Sequence, residues 1–558
     1  MNFTKIFDIS FLPDFFQLNS KKIANIMFAI FFCYFLLGII PFAPYEEDSL
    51  GIIMGCKRII ETGVFAAHDM SYGFQMQPGT YFWIALLSKI SGLSTLFSYS
   101  ILSAFFGVSF LFLSIFFLQR ISTLSFSVCG LILLLFQENY SAWFYCNSAV
   151  IAGAFMMLGF YFLLRHNTAH YLLITGVCLG MAAWSRADIL IIYPVSLFII
   201  IAKSWQERIL KTAFLAIFTL IVVWLLYSLS KLSFWNLLYE MNVTKNTFNL
   251  AYNSKSTLGI FWSEAMRSYL GFFSILIVFL VITGTVILIT KKLWINFAML
   301  LTPVFMFVLI LKGNITSSKH LYYLLPFVAI PVIINFQYMK EFSKNVKRAL
   351  IFASFSLFFV QYILGVQLFF NTNPYIGKSY ASVTPNPTYF QLFKCKIYKS
   401  RVDSAKLVLG GGMKLATGDE MMLSSGIMYS PIMWNDLKKQ CNINIKGLKH
   451  FINNYTEDSL KIFTTQGSNI YVSYVLSDLG YFLKNRSEKL NIWEKNGEKI
   501  FVYYAFYPKN IDGYTKLMIS NNLIGSVFVP YWDWEKYFVR NNSLKYSRVN
   551  DITCFFNQ

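Results

Sequence analysis

The stretch Pro41-Phe42-Ala43-Pro44-Tyr45-Glu46-Glu47-Asp48-Ser49-Leu50 places three adjacent carboxylates directly after the first long apolar run, residues 23–40. Residues 1–370 contain 13 acidic side chains, and five of them lie between this point and the next apolar run. Like charges held side by side at a bilayer surface raise one another's pKa, which suits a group that accepts a proton from a substrate hydroxyl. Glu46, Glu47 and Asp48 are therefore candidate catalytic residues, and the alternative is a solvated loop end that marks the membrane boundary.

The composition predicts a polytopic membrane protein. Of 558 residues, 56% are hydrophobic, 19% are aromatic and only 13% are charged, and the mean hydropathy is +0.53. The first apolar run lacks a small-residue cleavage site after it, so we interpret it as an uncleaved span rather than a signal peptide. These features exclude an ordinary soluble enzyme.

Apolar runs predict eleven membrane spans, although several runs are shorter than the roughly 20 residues that cross a bilayer at right angles. They cover residues 23–41, 96–119, 122–137, 148–164, 171–185, 189–202, 212–230, 270–290, 293–311, 321–338 and 349–370. We therefore expect residues 1–370 to form a transmembrane α-helical catalytic domain.

Basic residues predict the orientation of these spans. They are concentrated in one set of short connections, at Lys21, Lys22, Arg120, Arg165, Lys203, Arg208, Lys211, Lys291, Lys292, Lys340, Lys344, Lys347 and Arg348. The positive-inside rule places this set in the cytoplasm and the acidic loop outside. We expect an integral multi-pass protein of a bacterial inner (plasma) membrane, with its active site on the extracytoplasmic side.

Residues 371–558 have a different composition, with 23 Lys and Arg against 14 Asp and Glu. An odd number of spans places them outside the cytoplasm as a soluble mixed α/β domain. We predict strands at residues 406–409, 469–476, 499–507 and 525–531, and a helix at residues 477–490. The basic balance would favour an anionic surface or polymer, and lysines scattered on a solvated face are the alternative explanation. We expect no nucleic acid partner.

Polar residues gather at the predicted outer ends of the spans, which indicates an interfacial active site more than a conduction path. The five His do not cluster and no C-x-x-C spacing occurs, so nothing predicts a zinc site built by the protein. No cofactor is assigned, and a divalent cation is left open. No internal repeat of the kind that transporters carry is visible.

Two stretches resemble the first outer loop of GT-C superfamily glycosyltransferases. In that loop an acidic pair after the first span is followed about fifteen residues later by a glycine, as Glu47-Asp48 is by Ile59-Ile60-Glu61-Thr62-Gly63. Next, Met76-Gln77-Pro78-Gly79-Thr80-Tyr81-Phe82-Trp83 resembles a stretch of the protein O-mannosyltransferases and the lipid A aminoarabinose transferase. There it opens helices that lie along the outer membrane surface.

Two later stretches extend the resemblance. Trp184-Ser185-Arg186-Ala187-Asp188 is similar to the Arg-bearing turn of those enzymes, and Lys319-His320-Leu321-Tyr322-Tyr323-Leu324-Leu325-Pro326 is similar to their Arg-Tyr-x-x-x-x-Pro element. The chain departs from the pattern where Gln77 replaces a phosphate-binding Lys of some relatives and Gly79 replaces a second Pro. Lys319 replaces an Arg, which keeps the charge and loses the bidentate fork. These departures exclude a close subfamily assignment.

The resemblance implies an inverting transfer of a sugar from a polyprenyl-phosphate donor to a glycan, lipid or protein acceptor, in cell-envelope glycan biosynthesis. Such a donor needs no nucleotide, and no dinucleotide-binding fingerprint is present. The base candidates are Glu47 and Asp48, with Glu46 as a third. A short helix at residues 50–60 follows them, and its N-terminal amides would orient a nearby anion.

The donor phosphate calls for cations, and the candidates are Arg186, Lys319 and His320. Each residue also has a non-catalytic explanation. Arg186 could pair with Asp188 or extend its side chain to the membrane interface, and Lys319 and His320 could be ordinary residues of that interface. Lys57 and Arg58 are interpreted as neutralising the acidic cluster. Further substrate-binding candidates are Glu138 in the second outer loop and, in the acceptor groove, Tyr72, Gln75 and Trp83, for which an aromatic belt is the alternative.

Two other classes of protein remain open. A transporter or flippase of a lipid-linked sugar would also have many spans and outer polar residues. A non-catalytic membrane scaffold that displays residues 371–558 is the third hypothesis. Loss of the carboxylates separates the transferase from the other two, because only the transferase requires them for glycosyl transfer.

Overall fold

The computed structural model describes the helical part of the chain and much of its C-terminal sheet. The described residues are 12–36, 47–63, 65, 78–136, 148–165, 168–232, 235, 275–311, 322–338, 341, 343, 345, 366–368, 383–385, 405–408, 412–415, 445–446, 448–450, 452–453, 459–486, 490–505, 525–527, 544–549 and 552–557. This part of the chain is mostly helical and contains several apolar helices.

The helices follow one another in chain order. They are α1 (Leu12–Leu36), α2 (Glu47–Thr62), α3 (Pro78–Ser91), α4 (Thr95–Ile121), α5 (Phe126–Leu135), α6 (Ser148–Arg165), α7 (Ala169–Ser185), a 3₁₀ helix (Ala187–Val195), α8 (Ser196–Ile199), α9 (Trp205–Leu229), α10 (Ile275–Thr290), α11 (Trp294–Leu311), a 3₁₀ helix (Tyr322–Leu324), α12 (Leu325–Tyr338) and, in the C-terminal part, α13 (Gln466–Asp478).

Local sequence signals explain several helix ends. Ser204 caps α9 by accepting from the Glu207 N–H at 3.1 Å, while the Glu207 carboxylate accepts from the Lys203 N–H at 2.8 Å. This is the reciprocal capping pattern of Ser-x-x-Glu, shifted by one residue at the second bond. At the other end of a helix, Gly63 follows α2 with a φ of +68° and donates its N–H to Ile59 O at 2.9 Å, as a terminating glycine does.

The chain is an integral membrane protein. Three described helices are long and apolar enough to cross a bilayer, namely Thr95–Ile121, Ser148–Arg165 and Trp205–Leu229. Shorter apolar helices cover Lys22–Cys33, Ala169–Ser185, Ile189–Ile199, Ile277–Thr290, Trp294–Met306 and Tyr322–Tyr338. The helices therefore coincide with most of the predicted runs, while the number of spans stays a prediction.

Two of the predicted runs have a different structure from the one expected. Residues 189–202 form most of the 3₁₀ helix Ala187–Val195, which contains Pro194, and the four-residue α8. The run 349–370 lies mostly outside the described residues. Near its end, Val366–Leu368 is a strand (β1) that pairs antiparallel with Val383–Pro385 (β2).

The C-terminal part contains a seven-stranded mixed sheet and a hairpin. The hairpin joins β3 (Ala405–Val408) to β4 (Gly412–Leu415). The sheet has the order β10-β11-β9-β5-β8-β7-β6, in which β5 is parallel to both β8 and β9. Its strands are β5 (Ser459–Thr465), β6 (Phe482–Arg486), β7 (Leu490–Lys495), β8 (Glu498–Ala505), β9 (Gly525–Val527), β10 (Leu544–Val549) and β11 (Ile552–Asn557). We call these seven strands and α13 the sheet unit.

The predicted strand at residues 469–476 and the predicted helix at residues 477–490 are both wrong. Residues 466–478 form α13, which buries Val472, Val475 and Leu476 on one helical face, and residues 482–486 form β6. The β-branched and aromatic residues of this segment favour a strand by propensity. The segment is helical instead because it begins the crossover connection between the parallel strands β5 and β8, and such connections usually contain a helix.

The described side chains form two apolar cores. The larger lies among α1 and α4–α12, and the smaller joins α2, α3 and α4 to the sheet unit. The smaller core, which we call the shared core, includes Leu50, Ile52, Ile53, Met54, Cys56, Tyr81, Ile84, Ala85, Tyr99, Ile445, Leu448, Ile452, Leu460, Ile462, Val472, Tyr474, Val475, Leu476, Trp493, Ile500 and Val502. Helix α2 thus lies between α3 and the sheet unit.

Candidate active site

Arg186 lies where α7 ends. Its backbone is extended (φ −160°, ψ 112°), and its N–H closes the last turn of the helix on Ala182 O at 2.8 Å. The guanidinium donates a long hydrogen bond of 3.4 Å to the Ser148 hydroxyl, at the first residue of α6. It also lies 5.6 Å from the centroid of the Tyr323 ring. The end of α7, the start of α6 and the second 3₁₀ helix therefore meet at one side chain.

The start of α3 packs against the same place. Thr80 Oγ1 donates to Ser185 O at 3.1 Å, and both residues are fully buried. The carbonyls of a last helical turn have no partner within their own helix, so the Thr80 hydroxyl satisfies an acceptor that would otherwise be buried unpaired. Contact is close at Gly79, where an added Cβ would lie 2.8 Å from both Ser185 Oγ and Trp184 Cε3.

We call this meeting point the Arg186 junction, and define it by Gly79, Thr80, Ser148, Ser185, Arg186 and Tyr323. It unites three of the stretches that resemble GT-C enzymes, those around Gly79, Arg186 and Tyr323. Ser148, whose hydroxyl accepts from Arg186, is a residue that the sequence did not single out. The sequence feature that could have identified Ser148 is its position at the start of an apolar run, directly after a polar stretch.

The junction has the electrostatic character of an anion site. The positive end of the α6 dipole lies at Ser148, the first residue of that helix. The Arg186 guanidinium lies at the same end, within reach of Ser148 Oγ. The Ser185 hydroxyl is buried and has no hydrogen-bond partner among the described residues. A phosphate would find a guanidinium and a hydroxyl as donors here, beside the positive end of a helix dipole.

Helix α2 begins at Glu47, three residues earlier than the predicted start at residue 50, and ends at Thr62. Glu47 and Asp48 are therefore in its first turn rather than before it, and the side chains of both lie outside the described residues. Residues 50–56 are all buried, within the shared core. The helix predicted between the acidic pair and Gly63 is confirmed, and it is longer than expected.

Lys57 does not neutralise the acidic cluster as predicted. Its ammonium lies 3.0 Å from Asp478 Oδ1, on the sheet unit. Nine residues of α-helix separate Asp48 from Lys57, which is roughly 14 Å along the axis and too far for the two side chains to meet. The partner that the sequence did not reveal is 421 positions away in the chain.

Trp83 belongs to an aromatic cluster beside the junction. Its ring centroid is 5.3 Å from that of Phe82 and 5.7 Å from that of Phe155, and Phe82 lies 5.2 Å from Trp184. The Trp83 indole N–H is buried and has no acceptor in the described part of the chain. Trp83 therefore packs within the protein, next to the larger core, and its place in an acceptor groove stays a prediction.

The remaining site predictions fall where the structure makes no statement. The side chain of Asp188, with which Arg186 was expected to pair in one alternative, is outside the described residues, as are Glu46, Tyr72, Gln75, Glu138, Lys319 and His320. Among the residues that are described, no group of three or more His, Cys, Asp or Glu side chains is arranged to hold a metal ion. The open question of a divalent cation at the acidic cluster concerns side chains beyond this set.

Two solved structures are similar to the chain over nearly its whole length. One is a crystal structure of ArnT from Cupriavidus metallidurans in the apo state, with a TM-score of 0.48 over 95% of this chain and 98% of that one. The other is ArnT from the same organism bound to undecaprenyl phosphate, with a TM-score of 0.46 over 94% and 97%. Both are 12% identical in sequence to this chain.

ArnT is a lipid A aminoarabinose transferase and a GT-C glycosyltransferase. At 12% identity and TM-scores below 0.5, neither structure assigns a substrate or a residue role to this chain. No family model matches the chain, and no curated protein matches it.

Proposed function

We propose that this chain is an inverting GT-C glycosyltransferase that moves a sugar from a polyprenyl-phosphate donor to an extracytoplasmic glycan, lipid or protein acceptor. The observation that carries the proposal is the Arg186 junction. Three stretches that lie about 100 or more residues apart in the sequence pack together there, around a guanidinium and a helix N-terminus. A cationic site of this kind suits a phosphate that must be bound and then released as a leaving group.

The donor phosphate would be bound at the junction. Arg186 supplies a charge that is present at every physiological pH, and the start of α6 supplies the positive end of a helix dipole. The Ser185 hydroxyl, buried beside Arg186, is a further donor. Lys319 and His320 precede the 3₁₀ helix that carries Tyr323, and we propose them as additional phosphate ligands. Glu138 precedes α6, and we propose it for the acceptor side.

The base would come from the first turn of α2. In an inverting transfer, Glu47 or Asp48 accepts the proton of the acceptor hydroxyl, and the oxygen attacks the anomeric carbon. The bond from that carbon to the phosphate oxygen breaks, and the polyprenyl phosphate departs with the electron pair. Glu46 is the third candidate, and Tyr72, Gln75 and Trp83 are proposed to contact the acceptor.

The orientation of the chain follows from its loop charges. We propose eleven spans, a transmembrane catalytic domain over residues 1–370 in a bacterial inner membrane, and an extracytoplasmic domain over residues 371–558. A reporter that fluoresces only in the cytoplasm should stay dark when fused after Gln558 and should fluoresce when fused after Lys292. The reversed pattern would place the acidic loop in the cytoplasm and contradict the proposal.

The transferase itself is tested in membranes with a synthetic polyprenyl-phosphate sugar and the native acceptor. One of the two variants Glu47→Gln and Asp48→Asn should reduce kcat by roughly 10²-fold or more, as loss of a positioned general base does. The variant Glu46→Gln should reduce kcat much less. Arg186→Ala should raise KM for the donor and lower kcat, by about tenfold or more in kcat/KM, since it removes a charged hydrogen-bond donor.

The matched control is Arg165→Ala. Arg165 lies at the opposite end of α6, where its guanidinium donates to the Tyr161 hydroxyl at 2.9 Å. Its loss should leave transfer unchanged. Wild-type turnover in the double variant Glu47→Gln, Asp48→Asn would end the assignment of α2 as the source of the base. Donor translocation without transfer in the wild type would favour a transporter instead.

A further inference from the structure

Besides the apolar packing of the shared core, Lys57 joins α2 to the sheet unit through two contacts of its ammonium group. The Lys57 ammonium is 3.0 Å from Asp478 Oδ1 and 5.2 Å from the centroid of the Tyr474 ring. Tyr474 and Asp478 are one turn apart on α13, so they present a ring and a carboxylate on the same helical face. An ion pair and a cation–π contact therefore act on the same cation.

Asp478 is well suited to this contact because it stays ionised. Its other oxygen, Oδ2, accepts from Lys449, so two cations share the carboxylate. Burial acts to raise the pKa of Asp478, but the hydrogen bonds from Lys449 and Lys57 outweigh burial and hold the pKa below its ordinary value. The Lys57 and Asp478 side chains keep only 22% and 32% of their surface exposed, which limits the screening of the pair by water.

Contact at Lys57 constrains the first turn of α2. A helix of 16 residues moves nearly as a rigid rod, so a fixed point near its C-terminal end limits both its rotation and its sliding along the axis. The apolar contacts of the shared core are less directional, because they favour burial of α2 more than one particular rotation or axial position of the helix. Displacing a catalytic group by about 1 Å is enough to reduce turnover strongly.

We propose that Tyr474 and Asp478 are positioning residues, which hold Lys57 and thereby set the placement of Glu47 and Asp48 in the active site. This inference rests on the proposed function, in which one of those two carboxylates is the base. It gives the sheet unit a role in turnover without any contact between the sheet unit and the substrate.

The test uses the full chain in lipid nanodiscs and two readouts. Lys57→Met removes the charge and keeps most of the apolar stem, and Asp478→Asn removes the acceptor charge from the other side. Each should lower kcat at least threefold with KM for the donor within twofold of wild type. Hydrogen exchange of the amides of residues 50–56 should be about two- to fivefold faster, because loss of the contact favours the opening of α2.

Two further variants separate positioning from general damage. Lys57→Arg keeps a cation for both Tyr474 and Asp478, and it should restore most of the turnover. Lys484→Met is the control, since it breaks an exposed pair with Glu494 in the same sheet unit, away from α2. Neither kcat nor exchange at residues 50–56 should change in this control.

Three outcomes would overturn the inference. Turnover of both Lys57→Met and Asp478→Asn within twofold of wild type would exclude a positioning role. Unchanged exchange at residues 50–56 would exclude the contact as a constraint on α2. If the wild type transfers no sugar from any polyprenyl-phosphate donor, the proposed function fails and the role in turnover fails with it. The exchange result in that case still decides whether Lys57 holds α2.

Discussion

Gly79 is the position at which a single methyl group should disturb the candidate site most. The Cβ of Gly79→Ala would lie 2.8 Å from Ser185 Oγ, 2.8 Å from Trp184 Cε3 and 2.9 Å from the backbone nitrogen of Ser185. Ordinary contacts begin at 3.4 Å, so α3 would have to retreat from α7 by about 0.6 Å. One of the three obstacles is backbone, and the ring of Trp184 is held by its own hydrogen bond to Ser230 at 2.9 Å.

The energetic cost has two parts. Forcing a methyl group into a packed site costs about 1–3 kcal/mol. The retreat would also stretch the 3.1 Å hydrogen bond from Thr80 to Ser185 O to about 3.7 Å, beyond hydrogen-bonding distance. A buried carbonyl without a donor costs a further ~1–3 kcal/mol. Because the two effects share one displacement and do not add fully, we expect a loss of about 2–4 kcal/mol.

Thermal unfolding of the purified protein in detergent, at one fixed scan rate, measures this loss. The apparent Tm of Gly79→Ala should fall by several degrees, and donor binding should weaken because Arg186 follows Ser185 directly. Lys89→Ala, an exposed position on the same helix, is the control and should change the apparent Tm by about 1 °C or less. An unchanged Tm together with unchanged transfer would refute the packing of α3 on α7.

Three more predictions concern the same contacts. Thr80→Val should destabilise the protein by about 1–3 kcal/mol and Thr80→Ser by less, measured in the same unfolding assay, because only the first loses the hydroxyl. The stabilisation of α2 by Asp478 should be complete above the ordinary aspartate pKa of 3.8 and should be lost as the pH falls through the lowered pKa of Asp478. Hydrogen exchange of the α2 amides would report this loss as an acid step, and the Asp478→Asn variant would lack the step. Residues 371–558 expressed alone should aggregate in size-exclusion chromatography, because they expose the part of the shared core that packs on α2.

Each of these has a result that would count against it. Equal stability of Thr80→Val and Thr80→Ser would mean that the hydroxyl does not satisfy Ser185 O. An acid step of the same size in Asp478→Asn would assign the pH dependence to another carboxylate. A monodisperse fragment of residues 371–558 would show that the sheet unit does not depend on α2 for its core.

The order of short motifs along the sequence predicted where the candidate site would be. Neither Gly79, Arg186 nor Tyr323 is informative alone, but the stretches that carry them occur in the order found in GT-C enzymes. In the structure they meet at one junction. Helix ends bring such residues together whatever their separation in sequence, because antiparallel helices place the end of one beside the start of the next.

Long-range partners were not predictable in the same way. Lys57 was assigned to the acidic cluster that precedes it in the sequence, whereas its partner is Asp478. Charge proximity along a chain does not account for the direction in which a helix carries its side chains. A local signal was also available and unused, since Asn496-Gly497 has positive φ at both residues and joins β7 to β8 as the turn type favoured by Asn-Gly.

Helix α2, whose first turn carries the candidate base, is buried by the membrane helices on one side and the sheet unit on the other. Residues 50–56 are buried all round, and a helix that is apolar on every side must be covered on every side. Tyr81 and Tyr99 cover it from α3 and α4, and Val472 and Tyr474 of the sheet unit belong to the same core. Neither the membrane helices nor the sheet unit alone would enclose α2. The acidic pair begins this helix, so the placement of the pair depends on the packing of both the membrane helices and the sheet unit.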